Sequence, residues 1–333
     1  MCQLIGFISR RLTFSIITLL VVTLAVYGIF SLLPFDPAAL TCGQHCNPQI
    51  IHSNRIRLGY DKPLLFQFWL FVKGIFLGRT YGFGAGSFTC PAPSFGFSFN
   101  QNECVSTLLA QSFPITINLA IGALIIWLIM GVGLGILAAR YKGKFLDTAS
   151  SIFVLLGISL PIFVTGLFML IWVSLKWKII PIQLQGYVSI FSNPVAYAKY
   201  FVLPWITLAF AFAALYTRFT RASILETLGE DYIRTARAKG LSEKIVLRKH
   251  TFRAALAPIV TMASLDFAGL IGGAILTESI FNLPGLGRLT LQSIYEFDLN
   301  VVVATTIIAA AVVITMNLIV DLLYAVLDPR VRI

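Results

Sequence analysis

Long apolar runs, separated by polar segments, dominate the hydrophobic pattern of this 333-residue chain. Five of these runs reach or approach the roughly 20 residues that a helix needs to cross a bilayer, and a sixth is shorter but lies between polar loops. Because lipid offers the backbone no hydrogen-bond partners, each run is expected to be a helix. The pattern therefore predicts an all-α polytopic membrane protein with six transmembrane helices. The runs are Phe14–Leu33, Ile115–Ala139, Ser150–Leu175, Tyr200–Thr217, Ile259–Thr277 and Val301–Leu327.

Two apolar stretches admit other interpretations. Leu64–Leu77 could be a seventh span, but it is short, and Gln67 and Lys73 interrupt it. A span there would reverse the side of every later loop, so we expect a helix lying at the outer membrane interface. Phe14–Leu33 follows two arginines, as the core of a signal peptide would. It is longer than a typical signal core and no clear small-residue cleavage site follows it, so we expect it to remain as the first span.

Composition and charge agree with a membrane protein. Hydrophobic residues make up 58% of the chain and charged residues only 12%, which leaves too little polar surface for a soluble globule of this size. The net charge of +11 does not indicate nucleic-acid binding, because the cations lie at the ends of apolar runs rather than on one face with aromatic residues. Sixteen of the 25 Lys and Arg residues fall on the side that holds both termini. Both termini are therefore expected in the cytoplasm of a multi-pass cell-membrane protein.

The longest polar segment, residues 218–258, holds nine Lys and Arg residues and is expected in the cytoplasm. Glu230 and Asp231 open a run of helix-forming residues that Gly240 ends. Ser242 is then expected to cap a second helix, which runs to Pro258. The segment therefore predicts a helix, a glycine turn and a helix, an arrangement suited to docking a soluble partner.

The first of these helices has small and charged residues that suit such a surface. Ala236 and Ala238 are expected to leave room for close approach, while Arg234, Arg237 and Lys239 supply charge. The sequence TARAKGLS, followed by RKHTFRAALAP, resembles the docking loop of ABC importer permeases. It is most similar to the dipeptide and oligopeptide permeases of the first-subunit type, the DppB/OppB family. Arg234 stands where the general pattern has Glu, so a salt bridge from that Glu to the ATPase is not carried over.

The resemblance implies an ATPase-coupling role for one stretch and a second motif in an external loop. The implied coupling residues are Asp231, Tyr232, Arg234, Thr235, Ala236, Arg237, Ala238, Lys239 and Gly240. The external sequence TESIFNLPGLGRL matches the family element at Glu278, Phe281, Pro284, Gly285, Gly287 and Arg288.

The resemblance extends over nearly the whole chain. LLPFDP follows the first span, with Phe35 in place of a family glycine, and the C-terminal end matches at Asp321, Tyr324, Asp328, Pro329 and Arg330. It implies the type I permease fold of ABC importers, with a long external loop between helices 1 and 2. The expected organisation is residues 1–33 for the N-terminus and first span, residues 34–114 for the external loop, and residues 115–333 for a five-helix permease core. That core includes the coupling loop, residues 218–258.

Candidate pathway residues lie in the third and fifth spans. Pro161 lies within the third span, where a proline frees a carbonyl and can kink the helix. Asp266 is an ionisable residue within the fifth span, and such a residue normally faces protein or water. It is therefore either a pathway residue or an internally satisfied structural carboxylate. Gly269 and Gly273, in the same span, complete the set of candidates.

Four cysteines lie in the predicted external loop, where thiols tend to be oxidised. Disulfides Cys42–Cys46 and Cys90–Cys104 are favoured because each closes a short loop, although four cysteines allow three pairings. A metal site at Cys42 and Cys46 with His45 and His52 is the competing interpretation. Its spacing matches the usual closed zinc sites poorly, and no metal is expected.

No Walker loop, HExxH motif, paired acid cluster or supported catalytic triad is present in the sequence. The chain is therefore not expected to be an enzyme or to hold a cofactor. The resemblance implies a permease subunit of an ABC importer for dipeptides or oligopeptides, forming half of the translocation pathway. It also implies a second homologous permease subunit, two ATPase subunits that bind ATP and Mg, and an extracytoplasmic peptide-binding protein. The alternatives are a nickel or sugar cargo, or an ion-coupled secondary carrier with Asp266 and Asp321 as coupling acids.

Overall fold

A computed structural model describes residues 2–31, 38, 47–59, 61–81, 87–180 and 187–327. Within this part of the chain, long helices form the body of the molecule and two small hairpins lie between α3 and α4. The helices are α1 (Cys2–Ser31), α2 (Pro48–Leu58), α3 (Leu64–Leu77), α4 (Val105–Arg140), α5 (Phe145–Ser159), α6 (Ile162–Phe168, extended by the π-helix Met169–Lys176), α7 (Pro194–Leu228), α8 (Asp231–Ala238), α9 (Glu243–Ile245, extended by the π-helix Val246–Thr251), α10 (Phe252–Gly273), α11 (Ile275–Ile280), α12 (Leu286–Tyr295) and α13 (Leu299–Leu327).

Six potential spans are present in the described residues. Helices α1, α4, α7 and α13 are each long and apolar enough to cross a membrane. Two bent pairs supply the others: α5 with α6, which meet at 100°, and residues 243–256 with residues 258–271, which meet at 43°. Counting each pair as one span gives six, the number predicted. The sharper break falls at Pro161, because proline lacks the N–H that would continue the ladder of α5.

Several helix boundaries differ from the prediction. Helix α4 begins at Val105, so Pro114 lies inside it rather than before it. Its added turns pack Val105 and Leu108 against α12 and α13, and this tertiary contact extends the helix beyond the strongly apolar run. Helix α7 continues to Leu228 through residues expected in a loop, and α10 passes through Pro258 instead of beginning after it.

The main core lies between α4 and α7. Trp127, Phe201 and Tyr216 are fully buried there. The two helices approach closely at Gly131 and Gly135, where an added Cβ would lie 2.9 Å from the carbonyl oxygens of Ala213 and Thr217, respectively. Glycine at these two positions lets the two backbones approach closely.

The described part of the external loop contains strands that the all-α prediction missed. Strand β1 (Arg79–Tyr81) pairs antiparallel with β2 (Phe88–Cys90), and β3 (Phe97–Ser98) pairs with β4 (Glu103–Cys104). The predicted disulfide Cys90–Cys104 joins the two hairpins, with the Cα atoms 5.7 Å apart. Outside the described residues lie Cys42, Cys46, the LLPFDP sequence that follows α1, and the terminal Asp328, Pro329 and Arg330.

The hairpins and α3 rest on the start of the last helix. The Asn300 side-chain amide donates to the carbonyl oxygen of Phe97 at 2.9 Å, and Ser98 donates to the Asp298 carboxylate. Helix α3 is the expected 14-residue helix, and its Phe71 packs against Val303 and other apolar residues of α13. These contacts join the external loop to the transmembrane body.

Candidate functional site

Helix α8, the predicted coupling helix, has the expected local structure. It begins at Asp231, whose carboxylate lies in the first turn, and is followed by Gly240 with a φ of +76°. The N–H of Gly240 donates to the carbonyl oxygen of Arg237 at 2.9 Å, and the N–H of Leu241 donates to that of Ala236 at 3.4 Å. These two bonds form the Schellman arrangement that a left-handed glycine permits. The predicted helix and glycine turn are therefore confirmed.

The face that α8 exposes differs from the expectation. Ile233 and Ala236 are buried against Val246 and Leu228 of the same chain. Residues three apart share one helix face, so Ala236 packs inward with Ile233 and does not offer room to a partner. Ala238 is exposed, as expected. The other exposed residues of the predicted coupling set are Asp231, Tyr232, Arg234, Thr235, Arg237, Lys239 and Gly240.

Two cations of α8 form charged pairs, one with α9 and one within the helix. Nε of Arg237 lies 2.7 Å from Oε1 of Glu243, so the pair bridges the glycine turn to α9. The hydrogen bond from Arg237 lowers the pKa of the Glu243 carboxyl. Arg234, which replaces the family glutamate, pairs instead with Asp231 at 3.4 Å. The cations expected to face a partner are thus partly engaged within the chain.

The expected second helix of this segment is present but less regular than predicted. Ser242 occupies the N-cap position, but its side chain makes no capping hydrogen bond. From Glu243 the chain stays helical through the π-helix Val246–Thr251 into α10 and bends by 43° near Pro258. The predicted helix is therefore confirmed, without the side-chain cap and with a bend rather than an end at Pro258. The burial of Val246 against Ile233 and Ala236 ties this π-helix to α8.

Glu278, the first residue of the external motif, is completely buried near the N-terminus of α12. Its carboxylate accepts a hydrogen bond from the Thr116 hydroxyl at 2.7 Å and one from the N–H of Arg288 at 2.9 Å. A carboxylate is favoured at this positive end of a helix. Burial raises the pKa of the Glu278 carboxyl, although both hydrogen bonds act in the opposite direction.

Two positions of the motif require glycine because other atoms of the chain lie too close for a side chain. An added Cβ at Gly285 would lie 2.4 Å from the Glu278 carboxylate, and one at Gly287 would lie 2.9 Å from the backbone nitrogen of Ile275. Arg288 donates a hydrogen bond to the side-chain oxygen of Asn282. Of the remaining members, Phe281 packs on the main core and Pro284 is exposed. The motif thus folds the external loop onto the transmembrane helices.

The pathway candidates occupy different environments. Pro161 is exposed at the break between α5 and α6. Asp266 is half-buried and accepts a hydrogen bond from the hydroxyl of Tyr216 at 2.6 Å. Gly269 is exposed and has open space where a Cβ would point, so packing within this chain does not require a glycine there. Gly273 ends α10, and its surroundings lie outside the described part of the chain.

Three polar pairings of interest were not anticipated from the sequence. Thr116 binds Glu278, Asp147 binds Arg221 at 2.7 Å, and Arg11 binds Asp321 at 2.8 Å. A polar residue at the edge of an apolar run signals a need for a partner, but the partner lies far away in the sequence.

The competing metal interpretation gains no support from the residues that the structure describes. Among them, no group of three or more His, Cys, Asp or Glu side chains is placed to hold a metal ion. His52 is exposed on α2, while His45, Cys42 and Cys46 lie outside the described ranges.

Two family models match the chain. Residues 131–333 match the family described as binding-protein-dependent transport system inner membrane component. Residues 4–120 match the N-terminal domain of such membrane components.

Curated relatives match over almost the full length. The glutathione transport system permease protein GsiC of Escherichia coli (strain K12) is 35% identical over 329 residues, covering 99% of both chains. The protein named "Probable peptide ABC transporter permease protein y4tP" of Sinorhizobium fredii is 35% identical over 326 residues, covering 98% of this chain and 99% of the relative. Among solved structures, a chain of the inward-facing MetNI methionine ABC transporter aligns with a TM-score of 0.52 at 17% identity. It covers 66% of this chain and 96% of the MetNI chain, a similarity of fold.

Proposed function

The chain belongs to the family of binding-protein-dependent transport system inner membrane components, and we propose that it forms half of a peptide pathway across the inner membrane. It is a multi-pass permease subunit of an ABC importer. ATP hydrolysis belongs to separate ATPase subunits. Permeases of this family work together with these ATPase subunits and with a substrate-binding subunit. The observation that carries the proposal for the cargo is the 35% identity, over nearly the full length, to permeases named for peptide and glutathione transport.

Helix α8 is the surface that we assign to the ATPase. Its exposed face carries Tyr232, Arg234 and Ala238, and its buried face rests on Leu228 and Val246. A force applied to this helix therefore reaches α7 directly through Leu228, and reaches α10 through Val246 of the π-helix that leads into it. In the proposed arrangement, two ATPase subunits, a second homologous permease and an external peptide-binding protein complete the importer, and both termini of this chain are cytoplasmic.

We propose that the translocation pathway passes the break at Pro161 and the fifth-span residues Asp266, Gly269 and Gly273. The open space beside Gly269 supports this assignment, because a partner subunit or a cargo can approach the backbone there. Movement of α8 during the ATP cycle would tilt the attached spans and open this pathway to one side of the membrane at a time.

An ion-coupled carrier is a weaker candidate. Its two coupling acids would be Asp266 and Asp321, and each of them has a partner within the chain: Tyr216 for Asp266 and Arg11 for Asp321. The ion pair of Asp321 supports a structural role for that residue. A carrier that works alone would also have no use for an exposed docking helix such as α8.

The test is uptake by the complete complex. The tagged chain is purified with its associated subunits, reconstituted in proteoliposomes and supplied with its binding protein. We expect ATP-dependent uptake of labelled glutathione, dialanine or trialanine. Uptake of Ni²⁺ or a sugar without peptide would contradict the proposed cargo, and uptake driven by a proton gradient without ATP would favour a carrier.

A further inference from the structure

An ion pair between Asp147 and Arg221 joins α5 to α7 at the predicted cytoplasmic end of both helices. Nε of Arg221 lies 2.7 Å from Oδ1 of Asp147, and Nη2 lies 2.9 Å from Oδ2. Two parallel N–H donors on one carboxylate fix the direction of the contact as well as its length. Only 7% of Asp147 is exposed, so water competes little for the carboxylate. The contact therefore sets the position of α5 on α7.

The same carboxylate also holds the loop that precedes α5. The N–H of Gly143 donates to Oδ2 of Asp147 at 2.9 Å. Asp147 lies in the first turn of α5, where a carboxylate is favoured by the helix dipole. One side chain thus connects the loop after α4, the start of α5 and the polar end of α7.

The helices behind the ion pair are closely packed. An added Cβ at Gly157 of α5 would lie 2.3 Å from Cβ of Ala214 of α7. Near the ion pair, an added Cβ at Gly135 of α4 would lie 2.6 Å from Cβ of Thr220. Close-packed helices of this kind transmit a displacement rather than absorb it. The ion pair adds a directional polar contact to this packing at the cytoplasmic end of α5.

The pair lies between the coupling helix and the break in the third span. Arg221 precedes Leu228, the last residue of α7, by about two helical turns, and α8 follows at Asp231. On the other side, α5 runs from the pair to Ser159, after which the chain turns by 100° at Pro161.

We propose that Asp147 and Arg221 are positioning residues that force α5 to follow α7 when the coupling helix moves, so that the movement reaches the break at Pro161. This inference rests on the proposed role of α8. It assigns no contact with cargo or ATP to either residue. Their effect is on the transfer of motion within the permease.

The test separates transfer of motion from folding. Removing Arg221 alone would leave the buried Asp147 carboxylate unpaired and destabilise the protein, whereas neutralising both partners is much less harmful. The informative variant is therefore the double variant Asp147→Asn with Arg221→Gln in the complete complex. Lys144→Gln is the matched control, because it removes an exposed cation from the same loop.

The first measurement is the number of peptides taken up per ATP hydrolysed. The second measurement does not need the cargo. The substitution Ser159→Cys introduces a cysteine, and the extent of its labelling by maleimide is measured with and without ATP and vanadate. Labelling of the same complex without Ser159→Cys is subtracted. We expect the double variant to assemble and hydrolyse ATP, to lose the nucleotide-dependent change in labelling, and to lower the uptake ratio about five-fold or more. The control should match the wild type.

A double variant with the wild-type ratio and the wild-type change in labelling would overturn the inference while leaving the proposed function intact. If the wild-type complex itself shows neither uptake nor a change in labelling, the proposed function fails. If the double variant does not assemble, the uptake ratio of Arg221→Lys tests the inference instead. Lysine keeps the positive charge but cannot bond both carboxylate oxygens in the same way. A reduced ratio then supports the inference, and a wild-type ratio overturns it.

Discussion

The hydroxyl of Thr116 donates a hydrogen bond to Glu278 at 2.7 Å, although 162 residues separate them in sequence. The same hydroxyl oxygen accepts the N–H of Leu286 at 2.8 Å, and the side chains of Thr116 and Glu278 are completely buried. One hydroxyl thus connects α4, α11 and the first residue of α12. A buried hydroxyl therefore links the external motif to the second span, in addition to the apolar packing between them.

Thr116→Val should destabilise the protein because it removes both the donor and the acceptor while keeping the shape of the side chain. The expected loss is about 1–3 kcal/mol, the cost of leaving buried polar groups unpaired. It is measured as a lower Tm of the purified protein in detergent. Thr116→Ser keeps the hydroxyl and should cost less. Equal Tm values for the valine variant and the wild type would show that the link does not contribute to stability.

Replacing both Cys90 and Cys104 by serine should lower stability by about 3 kcal/mol, the value expected for a closed loop of about 15 residues. The hairpins would lose their covalent connection, and their contacts to α13 should loosen with them. Peptide mapping without reductant checks the Cys90–Cys104 link directly and also tests the predicted Cys42–Cys46 link. Four free thiols would contradict an oxidised external loop.

Gly240→Pro should leave the protein in the membrane but reduce its association with the ATPases. Proline cannot adopt the φ of +76° at this position, and it lacks the N–H that bonds to Arg237. Co-purification of the ATPase subunits and peptide uptake are the measurements. Gly133→Ala, at a helical position with open space beside it, is the control. Normal association and uptake in the proline variant would remove the docking assignment.

Substituting tryptophan for Ala236 and, separately, for Ala238 distinguishes an effect on ATPase docking from an effect on packing within the chain. Ala236→Trp should reduce the amount of folded protein, since overpacking a buried site costs about 1–3 kcal/mol or more. Ala238→Trp is exposed and should leave that amount unchanged while weakening ATPase binding. Detergent-solubilised yield and ATPase co-purification distinguish the two effects. Full ATPase binding by Ala238→Trp would place the contact surface elsewhere.

Asp266→Asn should preserve assembly and reduce transport if Asp266 lines the pathway. The amide oxygen can still accept the hydrogen bond from Tyr216, so the variant removes the charge with little change in shape. Tyr216→Phe is the companion variant, because it removes the hydrogen bond and keeps the charge. Uptake is measured across a range of pH. Unchanged kinetics for Asp266→Asn at every pH would assign Asp266 a structural role.

The sequence alone determined the features that depend on length, composition or local geometry. The apolar runs predicted six spans because a bilayer sets the length of a helix that crosses it. The glycine turn after α8 was predictable because Gly240 alone in that stretch adopts a left-handed backbone without strain. The pairing of Cys90 with Cys104 followed from the short loop that it closes. The family resemblance rested on contiguous motifs, which are read directly from the chain.

Only the tertiary structure decided which distant residues meet. Glu278 was recognised as a motif residue, but its hydrogen bond to Thr116 depends on how α4 and α11 pack. In the same way, the ion pair of Asp147 with Arg221 depends on how α5 and α7 pack. Ala236 was expected outside and lies inside, because Val246, ten residues later, folds back onto its face. Helix α4 gained turns before Pro114 because α12 and α13 cover them. Such contacts follow from the free energy of long-range packing, about which local sequence patterns carry no direct information.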